Sequence, residues 1–414
     1  MSRTIVVYPH SMELGGSQLN AIELAAAVRD LGHEVIVVSE PGPLVGNVKA
    51  AGLEHLELDL YRRRPSWTTI RRLRSLAESR GVDVVHGYEW PPGVEAYYTT
   101  LGDARVTAVC TVMSMSVAPF LPPSLPLVVG TREIQQGARA RHPRVHLIEP
   151  PVDVAANAPG HPVEEFRRAH GLTPGPLDIV VVCRLVPELK LESLLTAVDT
   201  VGRLAGELDV RLVVAGDGTA RDQVEEHAAR ANAAAGRPVV VLTGELADPR
   251  PAYASATVCL GMGGSALRSL AFGKPLIVQG EHGFFELLTP ETEPLFLEQG
   301  WYGLGGGRDE GPARFEAALR RLYADAELRG KLGEYGRRLV TDRFSLERAA
   351  RVQADIYEQA IAEPPSPRDA LATAQGVAAH KLRRRYQRLR GTHSRDDFNA
   401  VAKSHQGTAA EERR

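Results

Sequence analysis

The chain has 414 residues, too many for one compact core and suited to two or three domains of roughly 100–200 residues. Its 49 basic and 51 acidic side chains leave a net charge of −2, so the molecule as a whole carries no field that would select nucleic acid. No apolar run approaches the roughly 18 residues of a membrane-spanning helix, which excludes a helical membrane protein. Cys110, Cys183 and Cys259 lie in apolar stretches without C-x-x-C spacing and read as reduced core thiols. The opening MSRTIVVYPH lacks the apolar segment of a signal peptide, so a cytoplasmic location is expected.

Short β-branched runs alternate with longer helical patterns, the signature of βαβ units and parallel sheets buried on both faces. In the first half the expected strands are Thr4–Tyr8, Glu34–Ser39, Val82–His86, Arg105–Thr111, Leu125–Gly130 and Val145–Glu149, with a helix at Ser17–Leu31 stopped by Gly32. A Pro-, Gly- and Ala-rich stretch, 156–176, reads as a linker. The pattern restarts with strands at Asp178–Cys183, Val210–Ala215, Val239–Thr243, Thr257–Gly261 and Pro275–Gln279. Residues 308–362 read as helices, ended by EPPSP. In the tail, Leu371, Ala374, Ala378, Leu382, Tyr386 and Leu389 recur at helical spacing, giving an amphipathic helix with KLRRRYQRLR on its polar side. From Gly391 onward the composition suggests disorder.

In open parallel sheets, ligands bind at the carboxyl ends of strands, where loops and helix N-termini present N–H groups to negative charge. Four loops qualify. Gly15 and Gly16 follow the first strand and precede a helix. Arg184 and Lys190 put two cations on one loop, a metal-free grip for a diphosphate, although both could equally be solvated surface charges. Gly216-Asp217-Gly218 is a turn before a polar helix. Gly261-Met262-Gly263-Gly264-Ser265 is a glycine-rich strand-to-helix turn, closed downstream by Gly273 and Pro275.

With these residues the chain resembles the retaining glycosyltransferases of family 4, of GT-B fold, up to about Ala362. GGSQLNAIELAAAVRDLGHEVIVVS, DVVHGYEW, IEPPVD, RLVPELKLESLL, AGDG, SLAFGKPLIV and GEYGRRLVTDRFSLERAARVQADIY match its landmarks in order. The resemblance implies two Rossmann-like α/β domains facing across a cleft, with a C-terminal helix crossing back to the first. It gives an acceptor domain at 1–155, a nucleotide-sugar donor domain at 156–345, a crossover helix at 346–362 and a basic tail at 363–414. It also implies metal-independent hexosyl transfer from a nucleoside-diphosphate sugar to a hydroxyl, with no cofactor beyond the donor as cosubstrate.

The chain departs from the family pattern where an E-x7-E motif is expected: Leu260 and Arg268 hold the two Glu positions, and Met113 stands near the family's cleft histidine. The front-face route tolerates these losses, because the departing phosphate takes the acceptor proton while cations hold the leaving group. We therefore expect Arg184, Lys190 and His86 to carry catalysis. Gly15, Gly16, Gly216, Gly263, Gly264, Ser265, Arg268, His282, Gly283 and Glu286 would bind the donor, and His10, Glu89, Trp90 and Met113 the acceptor. The adaptable side chains of Met12, Met113 and Met262 would suit an apolar acceptor. Arg62, Arg63, Arg64, Arg71, Arg72, Arg74 and the tail could contact an anionic membrane, or form two solvated charged faces. The lost carboxylates also leave open a degenerate member acting as partner or regulator of another transferase, or another GT-B reaction such as nucleotide-sugar epimerisation.

Overall fold

The computed structural model describes residues 2–59, 64–103, 105–114 and 116–390. By internal contacts the chain divides into two units, residues 1–149 with 346–414, and residues 150–345. Both are α/β units with parallel sheets, as the resemblance implied.

The first unit runs β1 (Thr4–Tyr8), α1 (Gly16–Asp30), β2 (Glu34–Ser39), α2 (Val45–Ala50), β3 (Glu54–Glu57), α3 (Trp67–Arg80), β4 (Val84–Tyr88), α4 (Trp90–Thr100), β5 (Thr107–Val112), β6 (Leu127–Val129), α5 (Arg132–Arg139) and β7 (Val145–Leu147). Its seven strands pair in parallel in the order β3-β2-β1-β4-β5-β6-β7. The two-residue period of β1 sends Ile5 and Val7 into one core and Val6 and Tyr8 into the other, so the continuous apolar run marks a strand covered on both faces.

The second unit holds α6 (Glu164–Ala169), β8 (Leu177–Val182), α7 (Leu191–Leu204), β9 (Val210–Ala215), α8 (Arg221–Ala235), β10 (Val240–Gly244), α9 (Arg250–Ser255), β11 (Val258–Gly261), α10 (Gly264–Ala271), β12 (Leu276–Gln279), β13 (Phe285–Leu287), α11 (Glu293–Gln299), α12 (Gly311–Ala324) and α13 (Ala326–Phe344). The sheet order is β10-β9-β8-β11-β12-β13, parallel except for the antiparallel edge strand β13. The 156–176 stretch, expected as a linker, carries α6, whose Phe166 is buried in this unit's core.

Two further helices, α14 (Leu346–Ala362) and α15 (Ala370–Leu389), belong to the first unit. The Thr107 hydroxyl donates to the Ala360 carbonyl at 2.9 Å, and Arg3 makes two 2.7 Å bonds to the Glu358 carboxylate. The α15 helix is held by the Tyr98 hydroxyl donating to the Ala370 carbonyl at 2.7 Å, by the Ser124 amide donating to Asp369 at 2.9 Å, and by the packing of Gly376 against Phe120. The expected tail disorder falls on residues 391–414, outside the described residues.

In each sheet the strand order reverses direction once, between β1 and β4 and between β8 and β11. Such switch points open a crevice at the carboxyl ends of the strands.

Candidate functional site

At the second unit's switch point the loop after β8 runs beside the loop after β11, because Val181 pairs with Leu260. Lys190 stands at the N-cap of α7, half-buried. Burial lowers its pKa below the usual lysine value, with repulsion from Arg184 acting in the same direction. Arg184 is exposed, and among the described residues neither cation has a carboxylate partner. A desolvated ammonium without a counter-charge is unfavourable by itself and is relieved by a bound anion. On the neighbouring loop after β11, Gly263 (φ +54) is the N-cap of α10, and Gly264 is exposed as its first helical residue, with an amide that has no intrahelical partner. Arg268 is half-buried and reaches back along α10, since a Cβ added at Gly264 would lie 3.6 Å from its Nη1.

The first unit's switch point joins the loops after β4 and β5 and the first turn of α1 through one carboxylate. Glu89 accepts from the Ser114 hydroxyl at 2.7 Å, the Met113 amide at 2.9 Å and the Ser17 hydroxyl at 3.2 Å. Burial raises its pKa, and these hydrogen bonds oppose the rise. Its backbone, at φ 68 and ψ 171, lies in a region normally open only to glycine. His10 meets the Gln18 amide nitrogen at 3.2 Å in the loop after β1.

Strain marks the same places. Among the described residues, the non-glycine residues with positive φ are Glu89, Leu189, His282 and Trp301. The first three lie in loops after β4, β8 and β12, and Trp301 accepts the Gly263 amide at 2.7 Å. Such conformations cost about 1–3 kcal/mol each and cluster at functional sites.

Residues 176–325 match the family described as Glycosyl transferases group 1, and residues 14–128 match Glycosyltransferase Family 4. The chain is a family 4-like glycosyltransferase of GT-B fold. A glycosyltransferase from Rickettsia africae aligns over 87% of this chain and 99% of its own at 17% identity and TM-score 0.70. HepE of Anabaena, solved with UDP, aligns over 86% of this chain and 100% of its own at 13% identity and TM-score 0.64. The catalytic domain of starch synthase IV from Arabidopsis thaliana, bound to ADP and acarbose, covers 88% of this chain and 100% of its own at 12% identity and TM-score 0.62. No curated protein matches the chain by sequence.

Several residues of this glycosyltransferase have other duties than the sequence suggested. His86 is fully buried, with Nδ1 2.7 Å from the Tyr357 hydroxyl and Nε2 2.7 Å from the Thr111 hydroxyl. One ring nitrogen therefore ties α14 to the sheet and the other ties β4 to β5, and the imidazole is out of reach of an acceptor. Trp90 packs edge-on against Phe120 and His380, so its ring helps to seat α15 rather than line an open loop. Gly216 (φ +144) is required because an added Cβ would collide with the Cys183 carbonyl; its role is to lock the loops after β8 and β9 together. Gly283 (φ +75) likewise fits against the Gly307 carbonyl, and its amide donates to Glu192 at 2.9 Å. The Ser265 hydroxyl is engaged inside its own loop with Met262. Glu286 lies 4.0 Å from Arg314 of α12. Met12 and Met262 are core residues, and only Met113 is half-buried. Leu260, expected to stand at the first Glu position of the family motif, is a buried core residue of β11. Gly15 is the N-cap of α1 and Gly16 its first residue, and a Cβ added at Gly16 would meet open space.

Burial holds the His86 pKa down at about 3 and the His142 pKa at about 4, against an ordinary 6.5. The unfolded chain takes up these protons as pH falls through 6.5, whereas the native state refuses them until much lower pH. Each histidine should therefore remove up to about 1.4 kcal/mol of stability per pH unit over that interval. Thermal midpoints are expected to fall steadily with acidification, and His86→Gln should lower the neutral-pH midpoint while flattening the decline. A midpoint indifferent to pH across this range would contradict the assignment.

The sequence reading missed Ser17, Gln18, Ser114 and Glu192, polar residues that brace the loops. It also missed the run Gly303-Leu304-Gly305-Gly306-Gly307, whose backbone knits to that of residues 280–283. That glycine run was a visible signal; the bracing residues carried none.

Proposed function

We propose that the protein is a retaining, metal-independent glycosyltransferase that moves a hexosyl group from a nucleoside-diphosphate sugar to an acceptor hydroxyl on a glycan, natural product or lipid-linked molecule. The observation that carries this reading is the half-buried Lys190 ammonium near Arg184, without a carboxylate partner among the described residues, on a loop adjacent to the one that opens α10. Together they offer two positive charges and a helix dipole to a diphosphate. The UDP bound by HepE and the ADP bound by starch synthase IV support a nucleotide donor. As the glycosidic bond to the sugar breaks, its electron pair passes to the diphosphate oxygen, which these cations stabilise. The acceptor hydroxyl attacks the same face and gives its proton to the departing phosphate, so no protein base is required. Glu89, held at the first unit's switch point, would orient the acceptor with His10 and Met113. Arg268 occupies a position where the family carries a ribose-binding Glu. A guanidinium can only donate, so Arg268 either pairs with a neighbouring acid, leaving the ribose to backbone groups, or meets an anionic part of the donor.

The test is transfer from a panel of nucleotide sugars in the presence of a chelator. Turnover should persist, and the product should keep the donor's anomeric configuration by NMR. An inverted product, or activity abolished by chelation, would refute the mechanism. The replacement of both motif carboxylates by Leu260 and Arg268 favours a second reading, a non-catalytic partner of another transferase; it predicts donor binding without turnover.

A further inference from the structure

The tail helix turns its apolar stripe the opposite way from that expected of a helix docked by its hydrophobic face. Ala370, Thr373, Gly376, Val377, His380, Arg384 and Gln387 form the side less exposed to solvent. Leu371, Leu382, Tyr386 and Leu389 remain 70%, 68%, 52% and 80% exposed. At 3.6 residues per turn these four side chains lie within an arc of about 60° that also holds Gln375, with Arg385, Lys381 and Arg388 flanking it on one side and Arg383 and Arg390 on the other. No Asp or Glu occurs between Asp369 and Asp396. The patch continues onto α3: Trp67, 67% exposed, lies 5.7 Å from the Tyr98 ring, whose hydroxyl anchors the start of α15. Arg71 and Arg72 are exposed on the same helix. Of the other arginines expected in that cluster, two are engaged elsewhere and two are not described. Arg64 pairs with Glu40 at 2.9 Å, Arg74 donates to the carbonyls at the end of α4, and Arg62 and Arg63 lie outside the described residues.

We propose that the outward face of α15 is a docking surface for an anionic lipid bilayer. A stripe of Leu and Tyr bordered on both sides by cations is the pattern of a helix lying in the interface plane, with its apolar residues among acyl chains and its cations at the headgroups. The inward face fixes the helix to the first unit, so binding would hold that unit at the surface rather than tether it through a loose tail. A second copy of the chain is the poorer occupant, because the basic borders of two stripes would confront each other. The proposal is independent of the transferase reading.

The experiment is sedimentation of the full chain with vesicles of phosphatidylcholine plus phosphatidylglycerol, against phosphatidylcholine alone, at low and high salt. Binding should require the anionic lipid and weaken with salt. Arg383→Gln with Arg388→Gln should weaken it roughly 25-fold, at about fivefold per cation, and Leu382→Asp with Leu389→Asp should abolish it. Both double variants should keep the wild-type thermal midpoint, since all four side chains are exposed. The proposal is overturned if the full chain ignores anionic vesicles or if both variants sediment like wild type. It is also overturned if the chain is a dimer that the leucine pair dissolves, which would put a second copy on the stripe.

Discussion

Lys190→Met is expected to lower donor turnover by about a hundredfold or more, the range seen when one preorganised group facing a developing oxyanion is removed. Folding should not suffer. The ammonium is half-buried and its pKa is lowered by burial, so an apolar side chain of similar length relieves a desolvation cost, and the thermal midpoint should hold or rise. Arg184→Ala should act in the same direction but more weakly, about tenfold, because an exposed guanidinium works against the high dielectric of water. Steady-state transfer kinetics with melting curves on the same samples check both statements. Wild-type turnover in Lys190→Met would remove this residue from the site.

The second large effect is structural. Gly216→Ala should cost about 3 kcal/mol or more, since the new Cβ meets the Cys183 carbonyl at a φ of +144 that L-residues rarely adopt. That clash falls on backbone, which cannot swing aside as a flexible side chain can. The Cys183 and Leu185 amides donate to the Ala215 and Asp217 carbonyls at 3.0 and 2.9 Å, so separating these loops also disturbs the segment that carries Arg184 and Lys190. Denaturant unfolding distinguishes this account from a ligand-contact role. A variant of unchanged stability that merely lost donor affinity would restore Gly216 to the donor site.

The strands of the central sheets were legible because each is an apolar run covered on both faces; Thr4–Tyr8, Glu34–Ser39 and Val210–Ala215 are found as expected. The edge strand β3, with sequence EHLE, and the three-residue β13 escaped notice, since an edge needs no continuous apolar run. The cationic loop was legible as chemistry, because Arg and Lys spaced along a strand-to-helix turn point to an anion whatever surrounds them. The role of His86 was not legible. Its partner Tyr357 is brought to it by α14 returning to the first unit and Thr111 by the neighbouring strand β5, contacts that local spacing cannot register. Glycines were legible as turns, but not whether a ligand or a neighbouring backbone requires the missing side chain. Gly216 and Gly283 answer to backbone, whereas Gly16 and Gly263 face open space.

The most direct test of a diphosphate site at the second unit's switch point is a thermal-shift titration of wild type and Lys190→Met with UDP, GDP, ADP, CDP and TDP, without added metal. One of these should raise the wild-type midpoint, adding about 2.7 kcal/mol of stability at a hundred times its Kd, and should leave Lys190→Met nearly unmoved. The account is contradicted if no nucleotide shifts wild type, or if Lys190→Met responds to the same ligand as strongly.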